Sequence, residues 1–191
     1  MVPELDLLDF DKVDTAKQWG VGFIGPWEGD KAPELYVQAV KAAGLPAVVI
    51  CPSDVSEKKF RKAFEDASIE YKIHVGVTGR EKTEIIRTFA AAYHPSLTET
   101  FGLGVLETAH TCPTILLSKR KWSVAHREYC IIADESEVPE LLKKMYGKVA
   151  KNGEAPNVSR ANIPPQSPAA PSLTVLAKPS NPINKNIAGR L

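Results

Sequence analysis

Residues 95–107, Pro-Ser-Leu-Thr-Glu-Thr-Phe-Gly-Leu-Gly-Val-Leu-Glu, hold the densest concentration of chemistry in this sequence. Two carboxylates, Glu99 and Glu107, stand eight residues apart with Gly102 and Gly104 between them. Read as a loop entering a helix near Leu103, the segment puts glycines where a ligand can approach free backbone amides and the positive end of the helix dipole. That is an anion site, commonly for phosphate. Glu107 can accept two hydroxyl hydrogen bonds, as from a ribose diol, and Glu99 can do the same for a sugar. Phosphate, ribose and hexose together describe a nucleotide sugar.

Such a loop needs strands and helices to hold it, and the sequence alternates two hydrophobic periods. Val21 to Gly25 is a short apolar run ending in Gly, and Leu35, Ala39, Ala42 and Ala43 then repeat at helical spacing before Gly44 stops them. Ala47 to Cys51 predicts a second strand, followed by a helix capped by Ser56 that carries Phe60, Ala63, Phe64 and Ala67. Tyr71 to Val75 is a third strand. Thr78 and Glu81 fit a capping box opening a helix with Ile85, Ile86 and Phe89 inward. Ala91 to His94, Thr114 to Ser118 and Tyr129 to Ile132 complete the strand runs, and an amphipathic helix from Val138 to Val149 follows. Six strands interleaved with helices predict an α/β, doubly wound parallel sheet covered on both faces. In such sheets ligands sit at the carboxyl ends of the strands, so the loops after Gly25, Cys51, Val75, His94 and Ser118 are where chemistry belongs.

Composition sets the bounds. With 191 residues, 43% hydrophobic and 25% charged, the chain is too apolar for disorder throughout and long enough for one domain with a sizeable core. No stretch approaches a membrane span, and the acidic N-terminus lacks a signal peptide's basic start, which implies a cytoplasmic protein. Cys51, Cys112 and Cys130 are too few and too scattered for a disulfide framework or a metal site. Residues 1–20 form a lead-in, 21–150 the domain and 151–191 a tail. That tail holds 7 of the 15 prolines, no aromatic residue, five basic residues and one acidic, so it predicts a basic, largely extended segment. The body, with 19 basic residues against 22 acidic, is left at −3, which disfavours nucleic acid.

Residues 93–117, YHPSLTETFGLGVLETAHTCPTILL, resemble the signature segment of the GT-B retaining glycosyltransferases of family four, in which Pro-Ser leads to Glu-x-Phe-Gly-x-x-x-x-Glu and then to a strand after Thr-Pro. The resemblance covers roughly residues 21–150, the C-terminal, nucleotide-sugar-binding, Rossmann-like half of that fold. It implies Glu107 as the ribose ligand and Glu99 as the sugar ligand beside Thr100, Phe101, Gly102 and Leu103, while His94 is a further candidate because it ends a strand in the row of ligand loops. In the family the first loop reads Gly-Arg-x-x-x-x-Lys-Gly and clamps a diphosphate. Here Gly25 and Lys31 match, while Pro26 stands at the arginine position. Gly76 to Arg80, with Val77 and Thr78, matches the loop that lies against the nucleobase. Lys31 and the amides near Gly102 to Gly104 then stabilise the departing diphosphate, so the resemblance implies transfer with retention and without a metal or other cofactor.

GT-B enzymes bind the acceptor in a second, N-terminal domain, and only about 20 residues precede the first strand here. The resemblance therefore leaves three expectations open: a fragment, a partner chain or second copy that supplies the other half, or a non-catalytic module that binds a nucleotide sugar or mediates an interaction. Members of the family that glucosylate hydroxymethylated bases in phage DNA share the plan and keep a DNA acceptor in view, against the charge of the body. Lys119, Arg120, Lys121, Trp122 and Arg127 form a basic run read mainly as a solvated face, and His74 and His110 sit within elements.

Overall fold

The computed structural model describes residues 18–152, which form a six-stranded, wholly parallel sheet. Its strands are β1 (Gly20–Ile24), β2 (Ala47–Cys51), β3 (Tyr71–Val75), β4 (Phe89–His94), β5 (Thr114–Leu117) and β6 (Ile131–Ala133). Five helices connect and flank them: α1 (Pro33–Ala43), α2 (Asp54–Ala67), α3 (Gly79–Ile86), α4 (Leu103–Ala109) and α5 (Val138–Asn152). The order is β3-β2-β1-β4-β5-β6. The chain winds outward from β1 to β3, returns to the centre at β4 and winds the other way, so the loops after β1 and β4 diverge and leave a crevice between them. The expected α/β doubly wound sheet is what the chain forms. The first two residues of the tail, Lys151 and Asn152, belong to α5, and the rest of it and nearly all of the lead-in lie outside the described residues.

Period-two alternation puts opposite residues of each strand into different cores. Val21, Phe23, Val49, Tyr93 and Ile115 pack on one face with Tyr36 and Val40 of α1, Phe60 and Phe64 of α2 and Leu142 of α5. Val48, Ile50, Phe89 and Ala92 face the other side with Ile86 of α3, while Leu116 and Val105 of α4 pack with Cys130. A side chain at Gly22 would collide with the Phe89 ring, so the bare backbone of β1 makes room for that ring.

Three local expectations change. Ser53, not Ser56, caps α2, its hydroxyl accepting from the Ser56 amide at 3.4 Å. Thr78 stands at the N-cap of α3 but its hydroxyl caps nothing, because Gly79 turns left-handed with φ +54° and carries the first turn out of reach. Phe89 is not on α3, which ends at Ile86, but opens β4 as a fully buried strand residue.

Candidate functional site

Two clefts open at the carboxyl ends of the strands. The first, about 320 Å³, lies between the loops after β1 and β4 and is lined by Lys31, His94, Glu99, Thr100, Phe101, Gly102 and Leu103. The second, about 390 Å³, lies over the ends of β1, β2 and β3 and is lined by Gly25, Pro26, Val77 and Thr78. Both also touch Ile24 and Lys82, so they meet there. Apart from Glu107, every residue expected at the site lines one of the two clefts. Glu107 reaches them through Lys82.

The first loop is pinned before it reaches the cleft. The Trp27 amide donates to the Ser56 hydroxyl at 3.1 Å and its ring packs edge-on against Phe60 at 4.8 Å. A 3-10 turn at Gly29–Lys31 follows, and the Leu97 amide donates to the Asp30 carbonyl at 2.6 Å, tying this loop to the one after β4. Across that tie Lys31 Nζ donates to Glu99 Oε1 at 2.8 Å, both side chains being largely buried. On the far side Lys82 Nζ donates to Glu107 Oε2 at 2.6 Å, linking the first turn of α3 to α4. Each acid of the pair thus carries its own ammonium group.

Gly102 makes the entry to α4. It adopts φ +60°, and a side chain there would meet His126 Nε2 at 2.9 Å, so both the left-handed backbone and the close approach require glycine. His126 sits on a 3-10 turn at Lys121–His126, its Nδ1 2.6 Å from the Tyr129 hydroxyl. Burial pushes its imidazole pKa down while the nearby Glu99 charge opposes that shift. The same turn is held to the site loop by Trp122, whose Nε1 donates to the Ser96 carbonyl at 3.1 Å. Within the basic run Trp122 is therefore a packing residue, and Lys119, Lys121 and Arg127 are exposed.

His94 is fully enclosed between the two ion pairs, and its Nε2 lies 3.0 Å from the Thr108 hydroxyl. That hydroxyl also lies 3.1 and 3.0 Å from the backbone carbonyls of Gly104 and Val105, so it ties the imidazole to the first turn of α4. Burial first, then the charges of Lys31, His126 and Lys82, push the His94 pKa down to about 3. The imidazole is neutral at pH 7. At the mouth of the cleft Phe101 is 75% exposed and Leu103 62% exposed, so the loop presents apolar surface to whatever enters.

Lys82 and His126 are site residues that sequence reasoning missed. Lys82 sits inside an amphipathic helix where it reads as a solvated lysine, and its signal is its place one turn into the helix after the β3 loop. His126 has no sequence signal, since its place follows from the 3-10 turn folding back on Gly102. Among the described residues no three His, Cys, Asp or Glu side chains cluster as a metal would need, and no helix is long and apolar enough to cross a membrane.

No family model and no curated protein matches the sequence. Solved structures do resemble it. A point mutant of S. aureus TarM, in complex with fondaparinux, alpha-GlcNAc-glycerol and UDP, superposes with a TM-score of 0.57 at 13% identity, over 70% of this chain and 30% of that one. An α,α-trehalose 6-phosphate synthase from Burkholderia multivorans gives 0.53 at 10% identity, over 73% and 36%. Anabaena HepE, in complex with UDP and glucose, gives 0.52 at 12% identity, over 73% and 43%. All three are GT-B glycosyltransferases. The chain has the fold of one GT-B domain. It spans less than half the length of these neighbours. In this GT-B domain both clefts lie where the order of strands reverses or immediately beside it, at β1 and β4.

Proposed function

We propose that the chain is the donor-binding half of a glycosyltransferase that takes a sugar from a nucleoside-diphosphate sugar with retention at the transferred carbon. The observation that carries this is the pair of clefts meeting at the β1/β4 crevice, with one carboxylate–lysine pair at each side of the first cleft. The second cleft, with Val77, Thr78 and Pro26 in its walls, suits a base. Glu107 takes the ribose hydroxyls and Glu99 the hydroxyls of the sugar, beside Thr100, Phe101 and Leu103. Lys31 follows the charge that develops on the departing diphosphate, an electrostatic role with no metal in it. His94, neutral and tied to Thr108, lines the sugar end of the first cleft. HepE in complex with UDP and glucose and TarM in complex with UDP support a nucleotide sugar as the ligand class.

The acceptor half comes from a further domain, a partner chain or a second copy of this chain. Three buried free cysteines suit the reducing cytoplasm. A second reading, a binding module without turnover, is favoured by Pro26, which withholds a bidentate donor from the diphosphate. Isothermal titration of the full chain with UDP-, GDP- and ADP-sugars, followed by assay for hydrolysis, separates the two. Binding with slow hydrolysis is expected, binding with none supports the module, and no binding to any of the three removes the donor site.

A further inference from the structure

Lys82 is not part of the resemblance, yet it occupies the most constrained place in the site. It and Ile24 are the residues common to both cleft linings, and Lys82 is the one charged residue in the lining of the second. A ligand that puts a base over β1–β3 and a sugar against Glu99 must lay the connecting group across these two side chains. That connection is the diphosphate, and Ile24 has nothing to offer it.

Charge balance sharpens the point. The charged residues lining the first cleft are Asp30, Lys31, Lys82 and Glu99, which sum to zero, so the protein alone offers no surplus cation to a dianion. Both ammonium groups are engaged by carboxylates at 2.8 and 2.6 Å. A ligand carrying hydroxyl donors and phosphate acceptors can replace both pairs at once: the hydroxyls go to the carboxylates and the phosphates to the ammonium groups. A nucleoside has only the first of these, and pyrophosphate only the second. Resting on the donor-site reading above, we propose that Lys82 is the second cation of the diphosphate site, standing in from α3 for the charge that Pro26 leaves out of the first loop.

The test uses the full chain and five probes in isothermal titration: UDP, GDP, ADP, the nucleoside of whichever diphosphate binds, and inorganic pyrophosphate. Lys82→Met is expected to weaken the diphosphate about tenfold or more and the nucleoside by less than about twofold, since a hydrogen bond to a charged group is lost only in the first case. Lys82→Arg retains most of the affinity, and Pro26→Arg in the Lys82→Met background restores part of it. An equal loss for nucleoside and diphosphate overturns the proposal, because Lys82 then acts only by holding Glu107, and so does no loss for either. Thermal melts show whether Lys82→Met folds, and Lys82→Gln replaces it if it does not. Lys82-dependent binding of pyrophosphate with no binding of any nucleotide removes the donor reading but leaves Lys82 as an anion site. A wild-type chain that binds none of the probes removes both.

Discussion

The two ion pairs look alike in length and burial, but different parts of the fold hold them. Lys31 and Glu99 both stand on loops, one after β1 and one after β4, and meet across the crevice where the strand order reverses. Lys82 and Glu107 both stand on helices, α3 and α4, whose backbones are fixed by packing against β4 and β5. Groups on helices are held more tightly than groups on loops. The helix pair therefore suits the part of a ligand that stays the same through a reaction, the nucleotide. On the donor-site reading, the loop pair suits the part that changes, the sugar and its bond to the diphosphate.

Removing each acid in turn gives the largest effect and the most direct way to break this contrast. Glu107→Ala is expected to weaken binding of a nucleoside diphosphate about 10- to 100-fold, the loss of charge-assisted bonds to two hydroxyls. Glu99→Ala should change the same affinity by less than about threefold and act on sugar turnover instead. Titration with the diphosphate, followed by hydrolysis of the matching sugar nucleotide, separates the two, and equal losses in affinity contradict the division of roles.

Gly102 comes next, because it shapes the loop that carries Glu99. Gly102→Ala is expected to cost about 2 kcal/mol in urea unfolding, from the left-handed backbone and from the crowding of His126. Gly104→Ala is the control. A side chain there meets Ile24 at an ordinary 3.6 Å, so its effect should be near zero or slightly stabilising. Equal costs for the two would mean that the left-handed turn is not what holds the loop.

The contrast also marks how far the sequence was legible. The sheet was legible because β1, β2, β4 and β5 are short runs with glycine or proline at one end or both, and its parallel form followed from the helices between them. Glu99 and Lys31 were legible because they stand in loops at strand ends, and Glu107 because its spacing from Glu99 matches the Glu-x-Phe-Gly-x-x-x-x-Glu segment. Lys82 was not, since a lysine within a polar-faced helix carries no mark of the cleft beyond it, and only the approach of α3 to α4 brings it to Glu107. The capping box at Thr78 has the right residue types and still does not close. Its failure depends on the sign of one dihedral, at Gly79, which residue types do not reveal.

His94 lies between the two pairs, and its protonation is the smallest of the three effects. Four neighbours face it: Lys31 from the first loop, Lys82 from α3, His126 from the 3-10 turn and Thr108 from α4. Burial is the main cause, and three of these neighbours, cationic or able to become so, add to it, which is why the folded-state pKa falls to about 3 from an ordinary value of about 6.5. Between those two values the unfolded chain binds a proton that the folded chain refuses, so stability must fall as pH drops below about 6.5, by up to about 1.4 kcal/mol per pH unit from this group. Above that range the group is neutral in both states and contributes no slope. Urea unfolding of the wild type and of His94→Gln at pH 7.5 and 5.5 isolates the contribution, because His74 and His126, whose pKa values are also lowered by burial, are present in both proteins. The wild type should lose about 1 kcal/mol more than the variant on going to the lower pH. Equal losses would mean that His94 accepts a proton in the fold, placing a third cation between Lys31 and Lys82 and joining the two pairs into one coupled cluster.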